Sequence, residues 1–189
     1  MNAETPFTGP FPDLRSERLL LRELRSDDAG ALFRQFSDDE VTRYYDLDTF
    51  TQPTQAEQLV ALWRQRRERR FGIRWAICRP EAPEELLGTC GFNLWVQNSA
   101  RAVLGFDLAR ANWRQGIMSE ALGLLLDYGF QQMELNRVEA VVFRDNDASC
   151  RLLAKLGFAR EGLLREYEYL HGCLQDMYMY SLLRRDREA

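Results

Sequence analysis

One junction in the chain concentrates groups able to hold an anion. In GFDLARANWRQGIMSEAL a strand ending at about Ala109 runs through Asn112, Trp113, Arg114 and Gln115 to Gly116, where a helix opens. The unpaired amides of that first turn and the positive end of the helix dipole converge on one point. Glycine lets a bulky phosphate approach the main chain, and Arg114 adds a charge-assisted donor. A glycine that only tightens a strand-to-helix turn accounts for the same residues equally well. The nucleotide-loop patterns G-x-G-x-x-G and G-x-x-x-x-G-K-[ST] do not occur in the sequence.

A second segment, FRDNDASCRLLAKLGF, sets Asn146 and Ser149 at the start of a helix that follows a strand ending at Phe143. They share one helix face beside that strand's carboxyl end, where ligands of α/β sheets bind. Asn, Asp and Ser are also what an N-cap requires with no ligand at all. Asp145, Asp147 and Ser149 imitate the opening of a calcium loop, but Cys150 and Leu156 stand where its glycine and bidentate glutamate belong. His171, the single histidine, precedes Gly172 between two strands and reads as a turn residue. A Cys150–His171 nucleophile and base pair is not expected, because Cys150 belongs to an apolar helical run.

The elements that must position these groups follow from periodicity. SERLLLREL suggests a first strand, and Ser26 with Asp27 and Asp28 reads as the cap of a helix carrying Ala31, Leu32 and Phe36. Thr54 and Glu57 have capping-box spacing ahead of a helix through Leu59, Leu62 and Trp63. Three strand patterns, FGIRWAIC, LLGTCGFNLWV and AVLGFDLA, predict an antiparallel meander. A helix with Ile117, Ala121, Leu124, Leu125 and Tyr128 on one face, the strand RVEAVVF, a helix through CRLLAKL and two last strands complete the pattern. The fold class is α/β (α+β), a mixed and mostly antiparallel sheet with helices on both faces. Residues 1–13, with three prolines, read as an extended arm, and 14–185 as one domain.

Composition agrees with a single globular domain: 189 residues, 46% hydrophobic, with a net charge of −4. That acidic balance argues against nucleic-acid or anionic-membrane partners. No apolar run is long enough to span a bilayer and the N-terminus lacks a signal-peptide pattern, so a cytoplasmic location is expected. The four cysteines form no C-x-x-C pair and read as reduced, buried thiols, and no metal site is expected.

Together the segments resemble the GNAT superfamily of N-acetyltransferases, in the RimJ/RimL branch whose members acetylate ribosomal-protein N-termini. The resemblance spans about residues 14 to 185 and rests on SERLLLREL, LGTCGF, LGFDL, WRQGIMSEAL, N-x-x-S followed by KLGFAREGLLRE, and Gly172, Asp176 and Tyr180 in the ending. It implies a GNAT fold with a splayed pair of central strands and an acetyl-CoA site in the wedge between them. Main-chain groups of Phe106, Asp107 and Leu108 would meet the pantetheine amides. Arg114, Gln115, Gly116, Ile117, Met118 and Ser119 would wrap the diphosphate, and Asn146 would bond the pantetheine arm. Ser149 would protonate the leaving thiolate. Trp113 and Met118 depart from the fuller loop signature, Leu153 stands where many relatives carry a tyrosine acid, and Val103 where a glutamate base is found.

The missing glutamate bears on the acceptor. A lysine amine with pKa ≈ 10.4 lies about 3.4 units, roughly 4.6 kcal/mol, from its free base at pH 7, whereas an α-amine costs only about 1 kcal/mol. An α-amine needs no dedicated base, and a water relay toward Glu161 or Asp107 would serve it. The expected activity is therefore acetyl-CoA-dependent acetylation of a protein or peptide N-terminus by direct attack in a ternary complex, without metal. Acetylation of a small amine, such as a polyamine recognised by Asp38, Asp39, Glu40, Asp46 and Asp48, is an alternative, and an idle acyl-CoA binder is another. Acceptor selectivity is expected in residues 38 to 58, and the apolar last strand is compatible with a homodimer.

Overall fold

The structure is a computed structural model that describes residue 7 and residues 9–187. Eight strands build one sheet: β1 (Leu14–Arg15), β2 (Leu20–Glu23), β3 (Ile73–Cys78), β4 (Gly88–Val96), β5 (Arg101–Leu108), β6 (Arg137–Phe143), β7 (Ala159–Leu170) and β8 (Cys173–Leu183). Their spatial order is β1-β2-β3-β4-β5-β6-β8-β7. All neighbours are antiparallel except β5 and β6, which are parallel and joined through a helix as such a crossover requires. The helices are α1 (Ala29–Phe36), α2 (Asp39–Thr42), α3 (Pro53–Glu68), α4 (Ile117–Gln131), α5 (Asp147–Lys155) and α6 (Arg184–Arg187).

Strand alternation sorts the core into two layers. Ile73, Trp75 and Ile77 of β3 pack with Ile117, Leu122, Leu125 and Leu126 of α4 and Leu153 of α5. On the opposite face Ala76 and Cys78 meet Leu32 and Phe36 of α1 and Leu59, Val60 and Trp63 of α3. Each such buried aliphatic or aromatic side chain contributes about 1.5–3 kcal/mol, so both faces are held independently.

The feature that matters for function is where the sheet comes apart. Pairing of β5 with β6 runs only through Arg101↔Arg137, Ala102↔Val138 and Val103↔Glu139. Beyond Val103 the facing edges of β5 and β6 have no strand partner, while their outer edges stay paired to β4 and β8. A bulge at Asn93, between the Phe92 and Leu94 registers, bends β4 beside this opening. Gly105, paired with Gly91, lies beside the bulge: a Cβ there would lie 2.4 Å from the Asn93 side-chain nitrogen, so that side chain would have to move.

Several local expectations are corrected. Asp28 does more than cap: besides accepting the Arg25 amide (2.7 Å) it is the buried partner of Arg22 (2.7 Å). α3 opens at Pro53, one residue before the expected cap Thr54, because the box is Gln52 with Gln55, whose side chain accepts the amides of Thr51 and Gln52. Leu62 is exposed rather than inward. Cys173 is exposed and Cys150 half-buried, whereas burial pushes the thiols of Cys78 and Cys90 up to about 11 and about 12 and makes them inert. The N-terminal arm packs down: Pro12 accepts from the Trp75 indole (2.7 Å), Gly9 accepts from Arg67 (2.9 Å), and Phe7 stacks on Trp95. The remainder of the expected arm, residues 1–6 and 8, lies outside the described residues.

Candidate active site

The anion loop has the backbone shape its sequence suggests. Gly116 is the N-cap of α4 with φ 78°, and Arg114, two residues earlier, also has positive φ at 60°. A non-glycine residue held in that region is uncommon, and such turns make concave arrays of amides. Hydrogen bonding within the helix starts with Glu120 donating to the Gly116 carbonyl (3.1 Å), so the preceding amides face outward. A Cβ on Gly116 would meet nothing within 4 Å. The side chains of Trp113 and Gln115 are occupied elsewhere, donating to the carbonyls of Leu108 (2.9 Å) and Ala111 (2.8 Å). What the loop offers an anion is therefore main chain together with the exposed Arg114.

The wedge between β5 and β6 is a pocket of about 190 Å³. Val103, Gly105 and Phe106 form one wall, Val141 to Phe143 the other, and Asn146 and Ser149 close the end. Asn146 is the N-cap of α5, its Oδ1 accepting the Ser149 amide (3.1 Å), so capping and site wall coincide in one residue. Phe106 lines the pocket while Asp107, next in the strand, turns to the opposite face.

Asp107 is corrected as a relay group. It is buried and saturated, accepting from Gln35 (2.6 Å), from the Tyr45 hydroxyl (3.1 Å), from both the amide and hydroxyl of Thr89, and from Arg74 in an ion pair. Arg74 also donates to Asn93 and Tyr45, both pocket-lining residues (2.8 Å each). Burial, with Asp107 adjacent, holds the Tyr45 hydroxyl well above its ordinary pKa, so it stays a neutral donor.

Glu161 is corrected as well. Its carboxylate lies near the start of β6, gripped by both Arg137 nitrogens (2.8 and 2.5 Å) and by Ser181 (2.6 Å), and it does not line the pocket. The Arg137 bonds, then the Ser181 bond, pull its pKa down to about 2. A carboxylate held so firmly ionised is a poor proton acceptor. The carboxylates that do reach the pocket are Glu168, seven residues further along β7 and beyond its bulge, and Asp46. Sequence periodicity missed Glu168 because the irregularity between Leu164 and Glu168 breaks the alternation.

A wider cleft of about 750 Å³ shares Tyr44 and Phe143 with the wedge. Asp39, Glu40, Asp145, Glu166 and Asp176 line it against Arg43 and Arg144. Of the acidic residues expected to select the acceptor, Asp39 and Glu40 reach this cleft and Asp46 the wedge, while Asp38 caps α2. His171 does more than decorate its turn: Nε2 bonds the Tyr45 carbonyl (3.0 Å), Nδ1 lies 3.8 Å from Asp48, and the ring stacks on Phe143. It links the β7–β8 hairpin to the segment that follows α2.

A mixed sheet opened between two parallel strands, with an amide-rich turn at the following helix, defines an acyltransferase of the GNAT type. The chain belongs to this family: residues 18–159 match its acetyltransferase (GNAT) domain. It is 42% identical over 174 residues to an uncharacterized N-acetyltransferase of Bacillus subtilis, YoaA, covering 92% of this chain and 98% of that one. It is 32% identical over 98 residues to the ribosomal-protein-serine acetyltransferase of Escherichia coli, covering 52% and 55%. In fold it is similar to a GNAT-family acetyltransferase of Bacillus anthracis (TM-score 0.82, 24% identity, covering 92% and 99%). The same fold occurs in RimL, the ribosomal L7/L12 α-N-protein acetyltransferase, also solved with coenzyme A (TM-score 0.82, 23% identity, covering 91% and 98%). The protein is an N-acetyltransferase, and enzymes of this family use acetyl-CoA as donor.

Proposed function

We propose that the protein transfers the acetyl group of acetyl-CoA to the α-amine of a polypeptide N-terminus. The observation that carries this reading is Val103: the wedge wall holds an aliphatic side chain on the central strand, and among the described residues only Glu168 and Asp46 bring carboxylates to the pocket. Such a site suits an amine that needs little help to lose its proton. The size of the adjoining cleft, about 750 Å³, suits the first residues of a chain.

The residues fit the donor. The open face of Gly116 and the amides through Ser119 receive the diphosphate with Arg114. The unpaired edge of β5 at Phe106, Asp107 and Leu108 offers main-chain groups to the pantetheine amides, and the Asn146 side-chain nitrogen remains a donor beside it. The acetyl thioester supplies an electrophilic carbonyl, which a β5 amide polarises. Glu168 accepts the proton of the incoming ammonium, directly or through water. The amine nitrogen bonds to the acetyl carbon, the carbon–sulfur bond breaks, and Ser149 Oγ protonates the departing thiolate, its own proton being restored by the second proton that the new amide nitrogen sheds. Ser149 suits that role because its Oγ has no bonding partner among the described residues.

Acid lining of the wide cleft favours one further reading, a small polycationic amine as acceptor. The test is a thiol-release assay with peptides carrying free or blocked N-termini, a polyamine, and N-terminally blocked lysine peptides. Turnover confined to free N-termini supports the proposal, and turnover of polyamine or lysine side chains alone overturns it. In the same assay Ser149→Ala is expected to lower kcat roughly 100-fold with coenzyme A affinity unchanged.

A further inference from the structure

At the start of α4 the chain sets an acidic residue against its own anion site. Glu120 lies in the first turn of the helix, and helical side chains lean back toward the N-terminus. Its carboxylate is thereby aimed at the turn whose amides are left for a ligand, where an uncompensated negative charge would compete with a phosphate.

Two residues of the turn between β1 and β2 hold that carboxylate. Ser16 donates to Oε1 (2.6 Å) and Arg18 Nε lies 3.2 Å from Oε2. The turn itself is rigid: the Ser16 amide donates to the Leu19 carbonyl, and the Leu19 amide donates to Ser16 Oγ (3.0 Å each). Arg18 also donates from Nη2 to the carbonyl of Gln115 (3.2 Å). In a trans peptide the carbonyl oxygen of Gln115 and the N–H of Gly116 point in opposite directions. Holding the oxygen toward Arg18 turns the Gly116 N–H the other way, away from Arg18 and Glu120.

We infer that Arg18 is a positioning residue for the diphosphate of acetyl-CoA. One guanidinium aims the Gly116 amide and cancels the charge of Glu120. This rests on the assignment of the Arg114–Ser119 turn to the diphosphate, and it extends that site to a residue far away in sequence. Arginine suits the task because its fork bonds two acceptors in fixed directions at once.

The test compares acetyl-CoA with S-acetylpantetheine, a donor that lacks the diphosphate, on the full chain. For Arg18→Ala the KM for acetyl-CoA is expected to rise about tenfold, the size of two exposed charge-assisted contacts. Its kcat, its amine KM and its use of S-acetylpantetheine are expected to match wild type, a pattern that general loss of structure would not produce. Adding Glu120→Gln to Arg18→Ala is expected to recover part of the acetyl-CoA affinity by removing the charge that needs cancelling. If Arg18→Ala keeps the full preference for acetyl-CoA, or if both donors suffer alike, the inference fails. A double variant as weak as Arg18→Ala overturns the charge-cancelling role. A wild-type enzyme that uses the two donors equally well would instead refute the diphosphate assignment beneath it.

Discussion

Replacing Asp107 by Asn exchanges one carboxylate oxygen for an NH2 group and removes the charge of a side chain that accepts five hydrogen bonds. The Asp107 and Arg74 side chains are 2% and 0% exposed, so no water can take over when the carboxylate is lost. Four other donor groups, from Gln35, Tyr45 and Thr89, also terminate on Asp107. Asparagine presents an NH2 group to some of these donors and leaves Arg74 as a buried cation without a counter-charge. Removing one partner of a buried pair costs about 3–5 kcal/mol. At roughly 2–4 °C per kcal/mol for a domain of this size, Tm should fall by about 6–20 °C. Urea unfolding followed by tryptophan fluorescence measures the loss directly. The fraction still folded should also bind coenzyme A more weakly, because Asp107 fixes the strand whose Phe106 and Leu108 are proposed to meet the donor. A stability loss under about 1 kcal/mol would refute the view that this cluster pins β5.

Further outcomes are expected at two positions, Gly116 and Glu161. Gly116→Ala places a Cβ at φ 78° in otherwise open space, so it should cost about 1–2 kcal/mol from backbone strain, while Gly116→Trp should abolish calorimetric binding of acetyl-CoA with the protein still folded. Glu161→Gln should leave acetylation rates unchanged, and a hundredfold loss of kcat would return Glu161 to the catalytic site. The Glu161 pKa is depressed from an ordinary 4.5 to about 2, so its stabilisation is present above pH 4.5 and is lost as pH falls toward 2. Water screens this side chain, 42% exposed, to roughly 0.5 kcal/mol, and the variant's acid unfolding curve should be flatter by that amount across this window.

Much of the fold was legible in hydrophobic pattern, because β3 and β6 are largely apolar runs covered on both sides and α4 buries one unbroken face. The loop at Gly116 was legible for a related reason: a helix start after a strand announces its free amides in sequence. What stayed hidden depends on long-range geometry. Glu161 and Glu168 sit on one strand and look alike in sequence, but a bulge and the reach of Arg137 send one to a surface ion pair and the other to the wedge. Nothing local distinguishes Asp28, which reads as a cap, from a buried partner for Arg22, since that arginine lies across a turn. Tyr45 and His171 meet across 126 residues, a contact no spacing rule anticipates.

The three rungs that join β5 to β6 leave the sheet with a seam. On one side lies the five-strand half ending at β5, and on the other the three-strand half β6-β8-β7. A pantetheine arm lying in that seam would act as a surrogate strand, supplying the missing ladder with its own amides. Donor binding would then be a folding event as well as a chemical one, adding about 2.7 kcal/mol to stability at a hundredfold excess over Kd. Release of coenzyme A after each turnover would return the protein to a sheet whose halves are joined by those three rungs alone.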